Sequence, residues 1–159
     1  MIQGEEYQDF IQHELYKEGL ILLFNSSAKY QLSEGEGITH VEIKYDRKVK
    51  GTGNVFIETM AEDKTKTSFI PGGIFKNDNC WLYIIGDYNR AWMFCKTQLQ
   101  AMWEKDRGKY IKYGYIKPMD CKDDTGHVFA KGFLITKKML DNSALVLRKF
   151  EFANKEVRK

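Results

Sequence analysis

The segment from His40 to Asp46 carries charged side chains in strict alternation with apolar ones. Because successive side chains of a strand point to opposite faces, this pattern predicts a strand with Glu42 and Lys44 on one face. A carboxylate can hold a metal ion, and an ammonium group can stabilise developing negative charge. Such a face can equally be the solvent side of an antiparallel sheet, and the alternation alone does not choose between the two interpretations.

The residues around this strand form a wider pattern. Glu36 stands six positions before Glu42, and Lys44 follows two positions after it, in the order acid, then acid-x-Lys. This order resembles the PD-(D/E)XK nuclease superfamily, and the wider string looks more specifically like a group of small phage and bacterial members. The matching strings are Gly35-Glu36, Glu42-Ile43-Lys44-Tyr45-Asp46, Thr52-Gly53-Asn54, Ile57-Glu58, Pro71-Gly72-Gly73-Ile74 and Asn77-Asp78-Asn79-Cys80-Trp81.

The resemblance implies a divalent-metal-dependent nuclease that hydrolyses phosphodiester bonds, with DNA favoured over RNA as its substrate. It implies that Glu36 and Glu42 hold Mg²⁺ or Mn²⁺, and the carbonyl oxygen of Ile43 between the strand's two charged residues is a further candidate ligand. Mg²⁺ suits such a site because it prefers oxygen ligands. Lys44 would orient the attacking water or stabilise the pentavalent phosphate.

Two further acids are candidates for the same site. We expect Val55 to Thr59 to be the second strand of a first β-hairpin with the Glu42 strand, from which Glu58 would approach the metal. Glu14 is the best acid on the predicted first helix. Either residue could instead form an ordinary surface ion pair. The alternative function is a catalytically inactive nuclease-fold protein that binds nucleic acid or inhibits a partner protein, and a structural protein–protein module is a third class.

Two basic segments could contact the phosphates of a nucleic acid. The first, beside the Glu42 strand, consists of Arg47, Lys48 and Lys50. The second consists of cationic residues with tyrosines between them: Lys105, Arg107, Lys109, Lys112 and Lys117, with Tyr110, Tyr113 and Tyr115. These tyrosines could stack on unpaired bases, or they could pack inward beneath solvated lysines. The formal net charge of +3 is too small to indicate a nucleic-acid binder by itself.

The elements that must position these residues suggest a single nuclease-like domain over residues 1–159. We expect an α/β (α+β) protein with the restriction-endonuclease-like fold, a central mixed β-sheet flanked by helices. Apolar spacing predicts helices from Glu5 to Glu18 and from Lys96 to Lys105. Besides the first hairpin, strands are predicted at Leu20 to Phe24, Trp81 to Ile85, Ala91 to Cys95 and Ala144 to Phe150, the second and third of these forming a second hairpin.

The three cysteines, which lack the paired spacings of a zinc site or a disulfide framework, favour a reducing compartment. No secretory signal or membrane-spanning run is evident in the sequence. We therefore expect a cytoplasmic protein, in the host cytoplasm if it is viral, with no membrane partner. A homodimer is also expected of a nuclease that cuts both strands.

Overall fold

The computed structural model describes residues 2–19 and 40–152 of the chain. Their contacts divide them into two compact units. Among these residues, the first unit comprises 2–19, 40–52, 78–96 and 144–152, and the second comprises 53–77 and 97–143. The interpretation of the chain as a single domain stays a prediction.

Five α-helices and eight strands are assigned among the described residues, together with one 3₁₀ turn and one π-helical turn. In chain order they are α1 (Ile2–Lys17), β1 (Val41–Tyr45), α2 (Val49–Thr52), β2 (Val55–Glu62), β3 (Phe69–Pro71), the 3₁₀ turn (Gly73–Phe75), β4 (Leu82–Gly86), β5 (Arg90–Cys95), α3 (Lys96–Ala101), the π-helical turn (Met102–Asp106), α4 (Arg107–Lys112), β6 (Ile116–Lys122), β7 (Val128–Ile135), α5 (Lys137–Asn142) and β8 (Val146–Glu151).

The first unit contains a mixed sheet with the strand order β1-β4-β5-β8. Strand β1 runs parallel to β4, whereas β5 pairs antiparallel with both β4 and β8. Helix α1 buries Tyr7, Ile11 and Leu15 in the same core as Val41 and Ile43 of β1. These three helix residues lie at the i, i+4, i+8 spacing of one helix face, so the predicted first helix is confirmed.

The second predicted hairpin is confirmed as β4 and β5, and the predicted terminal strand is confirmed as β8. The first predicted hairpin is wrong, because β1 pairs with β4 while β2 pairs with β3 and β7 in the other sheet. The chain after β1 forms α2 instead of a tight turn, and the Asp46 carboxylate accepts a hydrogen bond from the Lys48 main-chain N–H at 2.9 Å. The predicted strand at Leu20 to Phe24 lies outside the described residues.

The second unit contains an antiparallel sheet with the strand order β3-β2-β7-β6. Its buried side chains include Ile57 on β2 and Phe133 on β7. The predicted helix from Lys96 is confirmed as α3, although it passes through the π-helical turn into α4. Helices and two sheets together confirm a mixed α and β class. Within the described ranges, no helix is long and apolar enough to span a bilayer.

The turn at Gly72 and Gly73 passes unusually close to strand β2. Gly73 has a φ of +50°, and a Cβ atom at this position would lie 2.2 Å from the carbonyl oxygen of Glu58. Both the positive φ and the close approach require glycine. We expect Gly73→Ala to lower the free energy of unfolding by about 2–4 kcal/mol, measured by urea denaturation.

Gly108→Ala is the matched control, because Gly108 lies in α4 with no atom within 4 Å of the added methyl group. Alanine is the better helix former, so this variant should be more stable than the wild type by about 0.5–1 kcal/mol. Equal effects of the two substitutions would contradict the close packing of the turn on Glu58.

Asp63 organises the turn between β2 and β3. Its carboxylate accepts hydrogen bonds from the Thr65 hydroxyl at 2.8 Å, the Ser68 hydroxyl at 2.9 Å and the Thr67 main-chain N–H at 3.0 Å. Together these hydrogen bonds lower the pKa of Asp63 to about 2, and the bond from the Thr65 side chain has the largest effect.

Because the pKa of Asp63 is lower in the folded state, its ionised carboxylate stabilises the fold in full above the unfolded-state pKa. This stabilisation is lost as the pH falls through about 2. The stability difference between wild type and Asp63→Asn should therefore be constant near neutral pH and shrink in acid. A carboxyl ¹³C titration of Asp63 checks the cause directly. A midpoint at the ordinary aspartate value would show that these hydrogen bonds do not form.

Candidate functional site

Glu42 is the second residue of β1, where its backbone pairs with Tyr83 of the parallel strand β4. Its carboxylate is almost completely buried, with a side-chain exposure of 1%. The Lys44 ammonium lies 3.0 Å from Glu42 Oε1, and the Lys44 side chain is 38% exposed. The two residues that the alternation placed on one strand face are therefore in contact, but at a buried position rather than on a wet sheet face.

A second lysine completes the surroundings of Glu42. The Lys96 ammonium lies 3.4 Å from Glu42 Oε2 and 2.6 Å from Asp78 Oδ1. Both side chains are buried, with exposures of 3% for Lys96 and 1% for Asp78. We refer to Glu42, Lys44, Asp78 and Lys96 as the buried cluster.

The local structure explains how these residues reach one place. Lys96 directly follows β5, and its main-chain N–H donates to the carbonyl oxygen of Trp81 at 2.8 Å. Asp78 lies in the segment that leads to β4, where its carboxylate also accepts a hydrogen bond from the Cys80 main-chain N–H at 3.0 Å. Asp78 precedes β4 and Lys96 follows β5, so the beginning and the end of the β4–β5 hairpin lie beside Glu42 on the neighbouring strand β1.

In the buried cluster, the negative charges of two carboxylates balance the positive charges of two ammonium groups. Burying a charge costs several kcal/mol unless it is paired and hydrogen-bonded. Although both oxygens of Glu42 are within ion-pair distance of a lysine, neither accepts a hydrogen bond of good geometry from the described residues. The carboxylate thus has acceptor capacity for a further donor or a cation.

Oxygen ligands of the kind that Mg²⁺ and Mn²⁺ prefer are present in the buried cluster. Glu42 and Asp78 supply two carboxylates that share one ammonium partner, Lys96. Among the described residues, no three His, Cys, Asp or Glu side chains are grouped closely enough to hold a metal ion. The predicted ligand Glu36 lies outside residues 2–19 and 40–152. The buried cluster therefore fits a divalent ion in its donor chemistry and supplies part of a ligand set.

The remaining candidates in the first unit lie in different environments. Ile43 buries its side chain in the core, so only its main-chain carbonyl group could act as a ligand. Glu14 forms an ion pair with Lys17 at 2.7 Å. The predicted nucleic-acid contacts are exposed side chains that follow β1 in the same unit: Arg47, Lys48 and Lys50.

Glu58 lies on β2 in the second unit, immediately before an irregularity in the pairing of β2 with β7. A Cβ atom on Gly72 would lie 2.6 Å from Glu58 Oε1, so this side chain packs against the glycine turn. The hairpin that would have brought Glu58 to β1 is not formed. Its catalytic role stays a prediction without the support of that pairing.

Sequence reasoning missed the part played by Lys96 and Asp78. The sequence predicts Lys96 only as the start of a helix, and Asp78 only belongs to a string that resembles one in the nuclease superfamily. A lysine that directly follows an apolar strand is the signal that could have drawn attention to Lys96. No local pattern links either residue to Glu42, because their meeting depends on the parallel pairing of β1 with β4.

Comparison with known proteins finds no match to the chain among family models, curated proteins or solved structures. The relationship to the PD-(D/E)XK superfamily accordingly rests on the residues themselves and stays a prediction.

The two lysines of the buried cluster should differ sharply in their effect on stability. Lys96→Met leaves Asp78 and one oxygen of Glu42 buried without their cation, and we expect a loss of about 3–5 kcal/mol in the free energy of unfolding. Lys44→Met removes a partner whose side chain is 38% exposed, and solvent screening limits the expected loss to about 1 kcal/mol or less.

Urea denaturation of the two variants measures both changes. Equal losses for Lys96→Met and Lys44→Met would contradict the enclosed position of Lys96 between the two carboxylates.

Proposed function

We propose that the protein is a divalent-metal-dependent nuclease of the restriction-endonuclease-like fold, hydrolysing phosphodiester bonds in DNA in preference to RNA. One observation carries this proposal. Glu42 is a buried carboxylate whose oxygens accept no hydrogen bond from the described residues, beside a lysine that remains 38% exposed. Charged groups held in such costly positions are concentrated at functional sites.

The proposed roles follow from the surroundings of each side chain. Glu42, together with Glu36, would hold the Mg²⁺ or Mn²⁺ ion. When bound, such an ion lowers the pKa of a coordinated water and neutralises charge on the attacked phosphate. Lys44 keeps its ammonium group 3.0 Å from the carboxylate and partly in solvent, where it can contact a phosphate oxygen.

Lys96 and Asp78 would act as positioning residues. Lys96 is within ion-pair distance of Glu42 Oε2, whereas Oε1 lies nearer to Lys44. Asp78 in turn holds the Lys96 ammonium at 2.6 Å. This arrangement restrains the Glu42 carboxylate in one orientation without contact between Lys96 or Asp78 and the substrate.

A DNA substrate also needs cations outside the reacting centre. The exposed basic side chains that follow β1 supply them in the same unit as Glu42: Arg47, Lys48 and Lys50. Lysine and arginine contacts to phosphates supply sequence-independent affinity that weakens as salt is added.

The second candidate function is a protein that binds nucleic acid or inhibits a partner protein without catalysis. The balanced charges of the buried cluster favour this candidate, because the four side chains compensate one another without a metal ion. Dependence of activity on metal and on Glu42 separates the two candidates.

Cleavage assays should use linear, circular, branched and single-stranded DNA and matching RNA, with Mg²⁺, Mn²⁺ or chelator. We expect wild-type protein to cut DNA only with metal, and Glu42→Gln or Lys44→Met to reduce the rate by about 10²–10⁴-fold. Circular dichroism verifies that each variant is folded.

Lys149 and Glu151 provide the matched control, since they form a 2.8 Å ion pair on β8 with the same two-residue spacing and an exposed carboxylate. Lys149→Met and Glu151→Gln should leave the rate unchanged. Wild-type protein that cuts nothing, or a Glu42→Gln variant that cuts normally, overturns the nuclease proposal. DNA binding that falls with salt and ignores chelator would then support the second candidate.

A further inference from the structure

The second unit contains a cleft of about 730 Å³, a volume typical of small-molecule sites. Its lining comes from strands β2, β3, β6 and β7, from the 3₁₀ turn, and from the π-helical turn and the start of α4. The first unit contributes no residue to this lining. The cleft is therefore separate from the buried cluster around Glu42.

The π-helical turn shapes one side of the cleft. Turns of this kind are rare inside helices and occur frequently at functional sites. This one carries Trp103 and Glu104, and Arg107 follows at the first position of α4. All three residues line the cleft.

The apolar wall of the cleft consists of Trp103, Phe75, Met60 and Met119. The Trp103 indole stacks on the Phe133 ring with centroids 4.6 Å apart and an interplanar angle of 10°. Phe133 is completely buried, so it fixes the plane of the half-exposed indole. A fixed aromatic ring beside adaptable thioether side chains suits a flat aromatic ligand.

Two cations border the same cleft. The Arg107 guanidinium lies 5.5 Å from the Trp103 ring centroid, and the Lys131 ammonium lies 4.3 Å from the Phe69 centroid. In the part of the chain that the structure describes, neither forms an ion pair with a carboxylate. Arginine and lysine are the side chains that proteins commonly use to bind phosphate.

Two carboxylates complete the lining, Glu104 and Asp120. Neither forms an ion pair with a basic side chain among the described residues, so each has oxygen atoms that can accept hydrogen bonds. Exocyclic amino groups of nucleobases donate to carboxylates of this kind. An aliphatic acyl chain would leave both acids and both cations without partners, and a sugar phosphate would leave the apolar wall uncovered.

We propose that this cleft binds a nucleotide unit. Its base packs on the apolar wall, its exocyclic amino group donates to Glu104 or Asp120, and its phosphate contacts Arg107 and Lys131. The inference stands whether or not the protein cleaves phosphodiester bonds, because it concerns binding by the second unit alone.

Calorimetric titrations of the full chain carrying Glu42→Gln, with chelator present, test the site independently of any cleavage. The ligands are AMP, GMP, CMP, UMP, adenosine and inorganic phosphate. We expect at least one of the three nucleotides with an exocyclic amino group to bind about tenfold or more tightly than UMP, which lacks it, and than adenosine or phosphate.

Arg107→Gln and Lys131→Gln should each weaken that binding by about tenfold or more. The matched control is Lys109→Gln, on the same helix as Arg107 but outside the cleft lining, and its affinity should stay within about twofold of the parent. The indole N–H resonance of Trp103, assigned with Trp103→Phe, should move on binding, whereas those of Trp81 and Trp92 should not.

Short single-stranded oligonucleotides distinguish a free nucleotide from a unit within a strand. Binding of hexanucleotides but not of mononucleotides, with the same dependence on Arg107 and Lys131, assigns the site to a strand. The reverse assigns it to a free nucleotide. Adenosine binding as tightly as AMP, affinities unchanged in both cleft variants, or no binding of either ligand type overturns the proposal.

Discussion

The first unit depends on how the ammonium group of Lys96 is compensated. Burying an ammonium group is costly unless carboxylates replace the water it has lost, and around the 3% exposed Lys96 side chain Asp78 and Glu42 do so at 2.6 Å and 3.4 Å. Asp78 comes from the segment before β4, Glu42 from β1 and Lys96 from the position directly after β5. Correct strand pairing is therefore a condition for electrostatic balance, and a shifted register would leave buried charge uncompensated.

The same balance sets a limit on metal binding. A divalent ion beside Glu42 would be repelled by the ammonium groups of Lys44 and Lys96, and the repulsion grows as the surroundings become less polar. Additional negative charge, from Glu36 or from a substrate phosphate, would offset it. Arrangements that favour function often oppose stability. Here the Glu42 carboxylate would serve both the ion pairs that stabilise the fold and the proposed metal ion.

Local patterns predicted most elements of the first unit but not the pairing of β1 with β4. The apolar spacing of α1 and the turn between β4 and β5 are properties of neighbouring residues, so the sequence was sufficient for them. The parallel partner of β1 lies far along the chain, and alternation in β1 carries no information about it. The alternation identified Glu42 and Lys44 as neighbours on one strand face. It did not reveal that Glu42 is buried, because the same alternation of charges can occur on a solvent-facing or a buried strand face.

The π-helical turn between α3 and α4 makes the length of that segment matter as much as its side chains. One extra residue in a regular helix would rotate the chain after it by about 100° around the axis. The π-helical turn absorbs such a residue locally, because it takes up about one residue more than an α-helical turn. Deleting one residue from Met102–Asp106 would therefore restore a regular helix and leave Arg107 on nearly the same side of it. The widened turn that carries Trp103 and Glu104 would be lost, so the deletion would change the wall of the cleft and spare the packing of α4.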